Sequence, residues 1–181
     1  MNYNEEKNLE KCKSTALRYL TAQIKTEGQV ADYLRRKGFE GENINLTIDF
    51  LKDYNYGNDR EYCLAYYREG CRKGKGRRRI EQELLTKKVN ASTIRDVLDE
   101  YISEDNPSYE ELLDEVGTEK DRALEVGRRM LKQHLELGKE ADKNFMAKVG
   151  RRLMSLGYDS QVLYSVIGIL MKEGKTLDDE Y

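Results

Sequence analysis

One spacing pattern occurs three times along the chain, and it restricts the fold more than any other feature. In the first copy Val30 and Leu34 are followed by Lys37-Gly38-Phe39, then by Ile44, Ile48 and Leu51. Moving the frame on by 50 residues gives Ile80, Leu84, Val89, Ile94, Leu98 and Tyr101. Moving it by 119 gives Val149, Leu153, Tyr158, Leu163, Ile167 and Leu170. Six apolar slots are filled in every copy, although the apolar class makes up only 38% of the 181 residues. Agreement of that kind marks an internal repeat.

The spacing within a copy predicts helix, turn, helix. Val30 and Leu34 are one helical turn apart, and Ile44, Ile48 and Leu51 follow the i, i+4, i+7 frame of an amphipathic helix. Gly38 and Gly157 stand at the turn, where a left-handed residue closes a helix at little cost. The second copy has Lys88 there, which makes the same turn harder to form. Thr26 with Gln29 and Ser108 with Glu111 have the spacing of capping boxes, and Asn90 and Asp159 suit helix starts. A further helix is expected before each pair, over about Thr15 to Lys25, Asp59 to Arg72 and Lys120 to Leu137.

A single such unit buries too little apolar surface to stand alone, so the three are expected to stack. The predicted fold is all-α: three tandem three-helix repeats stacked into an elongated, curved body. The expected order is a polar amino-terminal segment over 1–14, repeats over 15–56 and 57–102, an acidic connector over 103–120, a third repeat over 121–174 and an acidic tail over 175–181. Composition agrees. Charged residues reach 36%, against roughly 25% in ordinary domains, and the single proline, Pro107, leaves long helices undisturbed.

Several classes are disfavoured. The longest near-apolar run, Val162 to Met171, is far short of the roughly twenty residues that span a bilayer, and Met1 to Lys13 has no apolar signal-peptide centre. Cys12, Cys63 and Cys71 are odd in number and form no CxxC pair, which points to a reduced, cytoplasmic setting without a disulfide framework. Gly70 to Gly76 has the look of a phosphate-binding loop but lacks its glycine spacing, its Ser/Thr and a preceding strand; a hinge between helices is the better account. His134 is the only histidine, with no second zinc ligand near it in sequence. The expectation is a protein that is not an enzyme and uses no cofactor or metal.

The net charge of -2 hides strong segregation. From Arg68 to Lys88 nine bases face three glutamates, whereas Asp99 to Asp121 holds ten acids and one lysine. The first segment contains Arg72, Lys73, Lys75, Arg77, Arg78, Arg79, Lys87 and Lys88; a second basic excess contains Arg128, Arg129, Arg151 and Arg152. Such runs are often only solvated faces. Arg77, Arg78 and Arg79, however, fall at the expected start of a helix, where cations oppose the macrodipole by about 0.3–1 kcal/mol each. An anionic partner, either nucleic acid or acidic protein, would account for them. Tyr54, Tyr56, Tyr66 and Tyr67 nearby either stack on single-stranded bases or close the rim of a thin core. The acidic stretch is either a solvated connector or a surface that meets a basic partner.

These residues resemble a known family. Ala16-Leu17-Arg18-Tyr19-Leu20 with Val30, Leu34 and Lys37-Gly38-Phe39 is similar to the opening unit of the bacterial recombination regulator RecX, a modulator of the RecA recombinase. Asn58-Asp59-Arg60-Glu61-Tyr62, then Ala65, Tyr66, Arg68, Gly74, Arg79-Ile80, Glu83-Leu84 and Lys87, resembles its more specific second unit. Leu153 and Leu156-Gly157-Tyr158 repeat the frame in the third, so the likeness runs from about Thr15 to Glu173. The chain departs from the pattern at Tyr62, Lys88, Val89 and Leu156.

The resemblance implies a regulatory protein, monomeric and away from membranes, that binds the RecA filament on single-stranded DNA. It would limit RecA ATPase, strand exchange and co-protease activity, and so act on recombination, DNA repair and the SOS response. Weak direct nucleic-acid contact would be accessory. The partner-facing residues expected are the twelve bases named above, with Arg72 to Lys88 first and the Arg128, Arg129, Arg151 and Arg152 set second. The alternatives are a helical-repeat protein that binds nucleic acid without RecA, and a scaffold whose bases are merely solvated.

Overall fold

The computed structural model describes residues 3–21, 24–54 and 56–178, the side chains of 175–178 excepted. Among the described residues there are ten helices and no strand: α1 (Tyr3–Leu20), α2 (Glu27–Arg36), α3 (Gly41–Asp53), α4 (Asp59–Arg72), α5 (Arg77–Thr86), α6 (Ala91–Tyr101), α7 (Tyr109–Val116), α8 (Glu119–Glu136), α9 (Lys143–Ser155) and α10 (Ser160–Asp178). They form three tandem three-helix repeats, with α7 inserted before the third. The eighteen repeat positions are buried, apart from Phe39, Ile48 and Ile167, which are partly buried. The acidic side chains expected at 175–181 lie outside the described residues.

By packing, the chain divides into two units, Met1–Ala65 with Glu83–Glu100 and Tyr66–Gln82 with Tyr101–Tyr181. In the first, Val30 and Leu34 of α2 meet Cys12 and Ala16 of α1 and Ile44 and Leu51 of α3. In the second, Val149 and Leu153 of α9 meet Ala123 and Leu131 of α8 and Val166 and Leu170 of α10.

All three repeat turns close in one way. The Phe39, Val89 and Tyr158 amides donate to the Leu34, Leu84 and Leu153 carbonyls at 3.3, 3.2 and 3.2 Å. The Gly38, Lys88 and Gly157 amides donate to carbonyls three residues back, at 3.0, 2.9 and 3.0 Å. This is the paired bonding of a Schellman ending. Gly38 and Gly157 have φ of 83° and 88°, and Lys88 has φ of 68°, alone among the described non-glycine residues in being left-handed. Lysine there costs about 1–2 kcal/mol of backbone strain, and the packing of Val89 and Leu84 holds it.

Two expectations are corrected. α1 begins at Tyr3 rather than near Thr15, because Cys12 is fully buried and draws the preceding turns into helix. The spacing of Ser108 and Glu111 produces no capping box: Ser108 has φ -94° and ψ 7°, and its side chain caps nothing. The capping box before α8 is instead Thr118 with Asp121, whose side chains bond reciprocally to backbone amides at 3.1 and 3.3 Å. Thr26 with Gln29 does form one, and Asn90 and Asp159 cap α6 and α10 through their Oδ1 atoms.

Candidate partner-binding site

Arg77, Arg78 and Arg79 open α5, and its first turn abuts a packed junction. The Gly76 amide donates to the Leu156 carbonyl at 2.8 Å, and the Tyr158 hydroxyl donates to the Gly74 carbonyl at 2.9 Å. These bonds seat the first turn of α5 on the turn between α9 and α10. The approach is close: a β-carbon on Gly157 would lie 2.3 Å from the Arg79 amide nitrogen, and one on Gly76 would lie 2.6 Å from Gly157 backbone. Arg152 occupies the last turn of α9, and its carbonyl accepts from the Leu156 amide. Arg78, Arg79, Arg151 and Arg152 are all exposed on these two elements.

Arg77 behaves differently. Its backbone amide donates to a Glu119 carboxylate oxygen at 2.9 Å, and its Nε donates to Glu81 at 2.6 Å. Glu119 thus supplies negative charge at the start of α5 and offsets part of the dipole penalty there. The case for an outside anion therefore rests less on Arg77 than on the more exposed Arg78 and Arg79.

The remaining bases of the first set are largely matched within the chain. Arg72 pairs with Glu115 of α7 and with Glu69, and Lys73 pairs with Glu69 at 2.9 Å. These bonds hold the Glu69 carboxyl below its ordinary value, the Lys73 hydrogen bond contributing most. Glu115 also lies 3.4 Å from Arg68, so the acidic connector meets a basic surface of its own chain. Lys75 sits 5.9 Å above the Tyr66 ring. Lys87 and Lys88 belong to the other unit, where the Lys88 ammonium stands 4.0 Å from Asp32.

The second set divides as well. Arg128 grips Glu173 of α10 with bonds of 2.6 and 3.1 Å, which raises the guanidinium pKa through the hydrogen bonds first. Arg129 pairs with Glu125 one turn back at 2.8 Å. Of the twelve expected bases, Arg78 and Arg79 lie on the first turn of α5 and Arg151 and Arg152 near the end of α9, the two ends that the Gly76–Leu156 bond joins. Buried behind this junction is an unexpected arginine, Arg122, 8% exposed, whose Nη1 donates to the Gly117 carbonyl at 2.6 Å. Its position on the inward face of α8, between Ala123 and Thr118, was the available signal.

Tyr67 is buried and Tyr66 partly so, while Tyr54 and Tyr56 are exposed. The three cysteines are free and buried, and burial pushes the Cys63 thiol up to about 11. No described group of three or more His, Cys, Asp or Glu could hold a metal ion, and no described helix is long and apolar enough to cross a membrane.

Comparison with known proteins gives one answer. Residues 12–51 match the first three-helix domain of RecX, and residues 58–98 match its second. A regulatory protein RecX of Clostridium perfringens is 34% identical over 158 residues, 87% of this chain and 67% of that protein. One from Clostridium beijerinckii is 32% identical over 169 residues, 92% of this chain and 71% of the relative. The crystal structure of RecX from Lactobacillus salivarius superposes with a TM-score of 0.73 over 91% of this chain and 97% of that one, at 20% identity. At that identity the superposition speaks for the fold.

Proposed function

This chain belongs to the RecX family of regulatory proteins, and we propose that it regulates recombination by binding the RecA filament on single-stranded DNA. It restrains RecA ATP hydrolysis, strand exchange and co-protease activity, as a cytoplasmic monomer that acts by binding rather than by catalysis. The observation that supports this most is the junction of α5 with the α9–α10 turn. Three exposed guanidinium-bearing residues, Arg78, Arg79 and Arg152, stand on helix ends whose backbones are locked by the Gly76–Leu156 bond. Bases on fixed helix ends lose less freedom on docking than bases on loose chain would. Guanidinium forks can hold phosphates or carboxylates in a paired geometry.

The test is ATP hydrolysis by the cognate recombinase on saturating single-stranded DNA, with this protein added after filaments have formed. Inhibition well below one molecule per recombinase protomer is expected. Joint reversal of Arg78, Arg79 and Arg152 to glutamate is expected to abolish it without loss of helix content. No inhibition by the unmodified chain at equimolar ratio would reject the reading, and unchanged inhibition by the variant would reject the site.

A further inference from the structure

We propose that the first repeat carries a separate binding groove for single-stranded nucleic acid, built by α1, α2 and the turn into α3. The groove has a volume of about 730 Å³, and its lining includes Lys11, Arg18 and Lys37 against one carboxylate, Glu40. All of these residues lie in one packing unit. None of them is among the twelve bases to which the sequence points, and none belongs to the α5–α9 junction.

The lining also holds a flat aromatic pair. Tyr19 of α1 and Tyr33 of α2 stack with centroids 4.0 Å apart and planes 8° from parallel. Lys25 stands 5.5 Å over the Tyr19 ring and Lys37 stands 5.5 Å over the Tyr33 ring. Both tyrosines are partly exposed, and Lys11, Arg18 and Lys37 are exposed. A cation over an exposed ring is weakly held. A base can take its place on the ring while the displaced ammonium moves onto the adjoining phosphate.

This combination selects the ligand. Cations alone would suit any anion, an acidic peptide included. Cations interleaved with a stacked aromatic platform suit a strand whose phosphates and unpaired bases alternate at short range. Paired bases cannot reach the ring face, so duplex is disfavoured. The groove binds a few nucleotides of single strand with little preference among bases, since every base offers a face to stack.

Fluorescence anisotropy of a labelled oligothymidylate, with no recombinase present, tests the groove apart from the filament reading. Tyr33→Ala and the paired reversal Lys11→Glu with Lys37→Glu should each weaken binding roughly tenfold. The reversal should also lower the slope of log affinity against log salt by about two, one for each phosphate that is no longer neutralised. The control Lys132→Glu, at an exposed position of α8 outside the groove, should bind as the unmodified chain does. Circular dichroism confirms helicity, and because Lys11 and Lys37 are exposed, the reversal tests the groove even if Tyr33→Ala fails to fold. No binding by the unmodified chain, or unchanged affinity in the paired reversal, would overturn the proposal. So would displacement by polyglutamate combined with full affinity in a folded Tyr33→Ala, which would make the groove a site for acidic protein.

Discussion

The Thr26 hydroxyl donates to the Lys87 carbonyl at 2.6 Å, across 61 residues of chain. Fifty residues after Thr26, Gly76 makes the equivalent bond with its backbone amide, to Leu156, the counterpart of Lys87 in the third copy. In each packing unit, then, the start of a middle helix of one repeat is seated on the turn of the next. Gly28 is close enough to Lys88 that a β-carbon would lie 2.3 Å from its carbonyl oxygen, as Gly157 is to Arg79. The turns are thus both helix endings and the joints between repeats.

The three turn positions should respond differently to substitution. Gly38 has open space around it, so Gly38→Ala is expected to cost only the left-handed strain, about 1 kcal/mol. Gly157→Ala adds a collision with Arg79 backbone and should cost about 3 kcal/mol or more. Lys88→Gly relieves strain at φ 68° and should stabilise by up to about 1 kcal/mol. Urea unfolding midpoints of the three variants check the order.

Asp59 gives a pH signature. It is 7% exposed, and burial raises its pKa above 3.8 more than the bond from the Glu27 amide lowers it; Glu27 also raises it and Lys52 lowers it. A carboxyl raised in the folded state is favourable when protonated. Its cost enters as pH rises from the unfolded value through the folded one and remains at neutrality. Asp59→Asn keeps an acceptor for the Glu27 amide and should be more stable than the parent at pH 7. The difference should vanish below about pH 3, where both states are protonated. Paired urea titrations from acid to neutral pH measure it; a constant difference would reject the mechanism.

Much of the fold was legible because the signals that carry it are local. The slots at Val30, Ile80 and Val149 and the turn at Gly38 and Gly157 are periodic, and periodicity survives in one dimension. The start of α1 was not legible, since Tyr3 to Ser14 is mostly charged and Cys12 is buried by α2 and α3, which lie later in the chain. The site was legible only as charge. Arg72 and Glu115 are 43 residues apart, so nothing in the sequence shows that this base is already matched. Likewise Lys11, Arg18, Tyr33 and Lys37 form no motif until α1 and α2 are side by side.

Arg122 and Tyr158 should show how the second unit tolerates buried polarity. Arg122 Nε and Nη2 are buried with no hydrogen-bond partner among the described residues, so the guanidinium is held mainly through Nη1 by the Gly117 and Val116 carbonyls. Arg122→Met keeps the volume and should cost less than Arg122→Ala, for which about 3 kcal/mol is expected. Burial pushes the Tyr158 phenol up to about 12, outweighing the Arg122 cation that lowers it. The folded state thus resists tyrosinate formation, and stability should fall as pH rises from the ordinary value of 10.0 toward that figure. Tyr158→Phe should lose the bond to Gly74, about 1 kcal/mol at neutral pH, and show a shallower alkaline decline in thermal unfolding.

The two arginine sets should separate in function. Arg128 is held by three bonds to Glu173 and Arg129 by Glu125, so a partner anion would have to displace a carboxylate already in place. Arg78 and Arg152 have no ion pair among the described residues and stand where α5 meets the α9–α10 turn. Reversal to glutamate at Arg78 and Arg152 should therefore raise the concentration needed for half inhibition of recombinase ATP hydrolysis by about tenfold or more, since each reversal replaces attraction with repulsion at a docked surface. Alanine at Arg128 and Arg129 should leave that concentration within about twofold, a shift small beside the effect of truncating one well-buried anchor. Equal weakening by both pairs would mean that the basic character of the whole second unit, and not the junction, is what the partner meets.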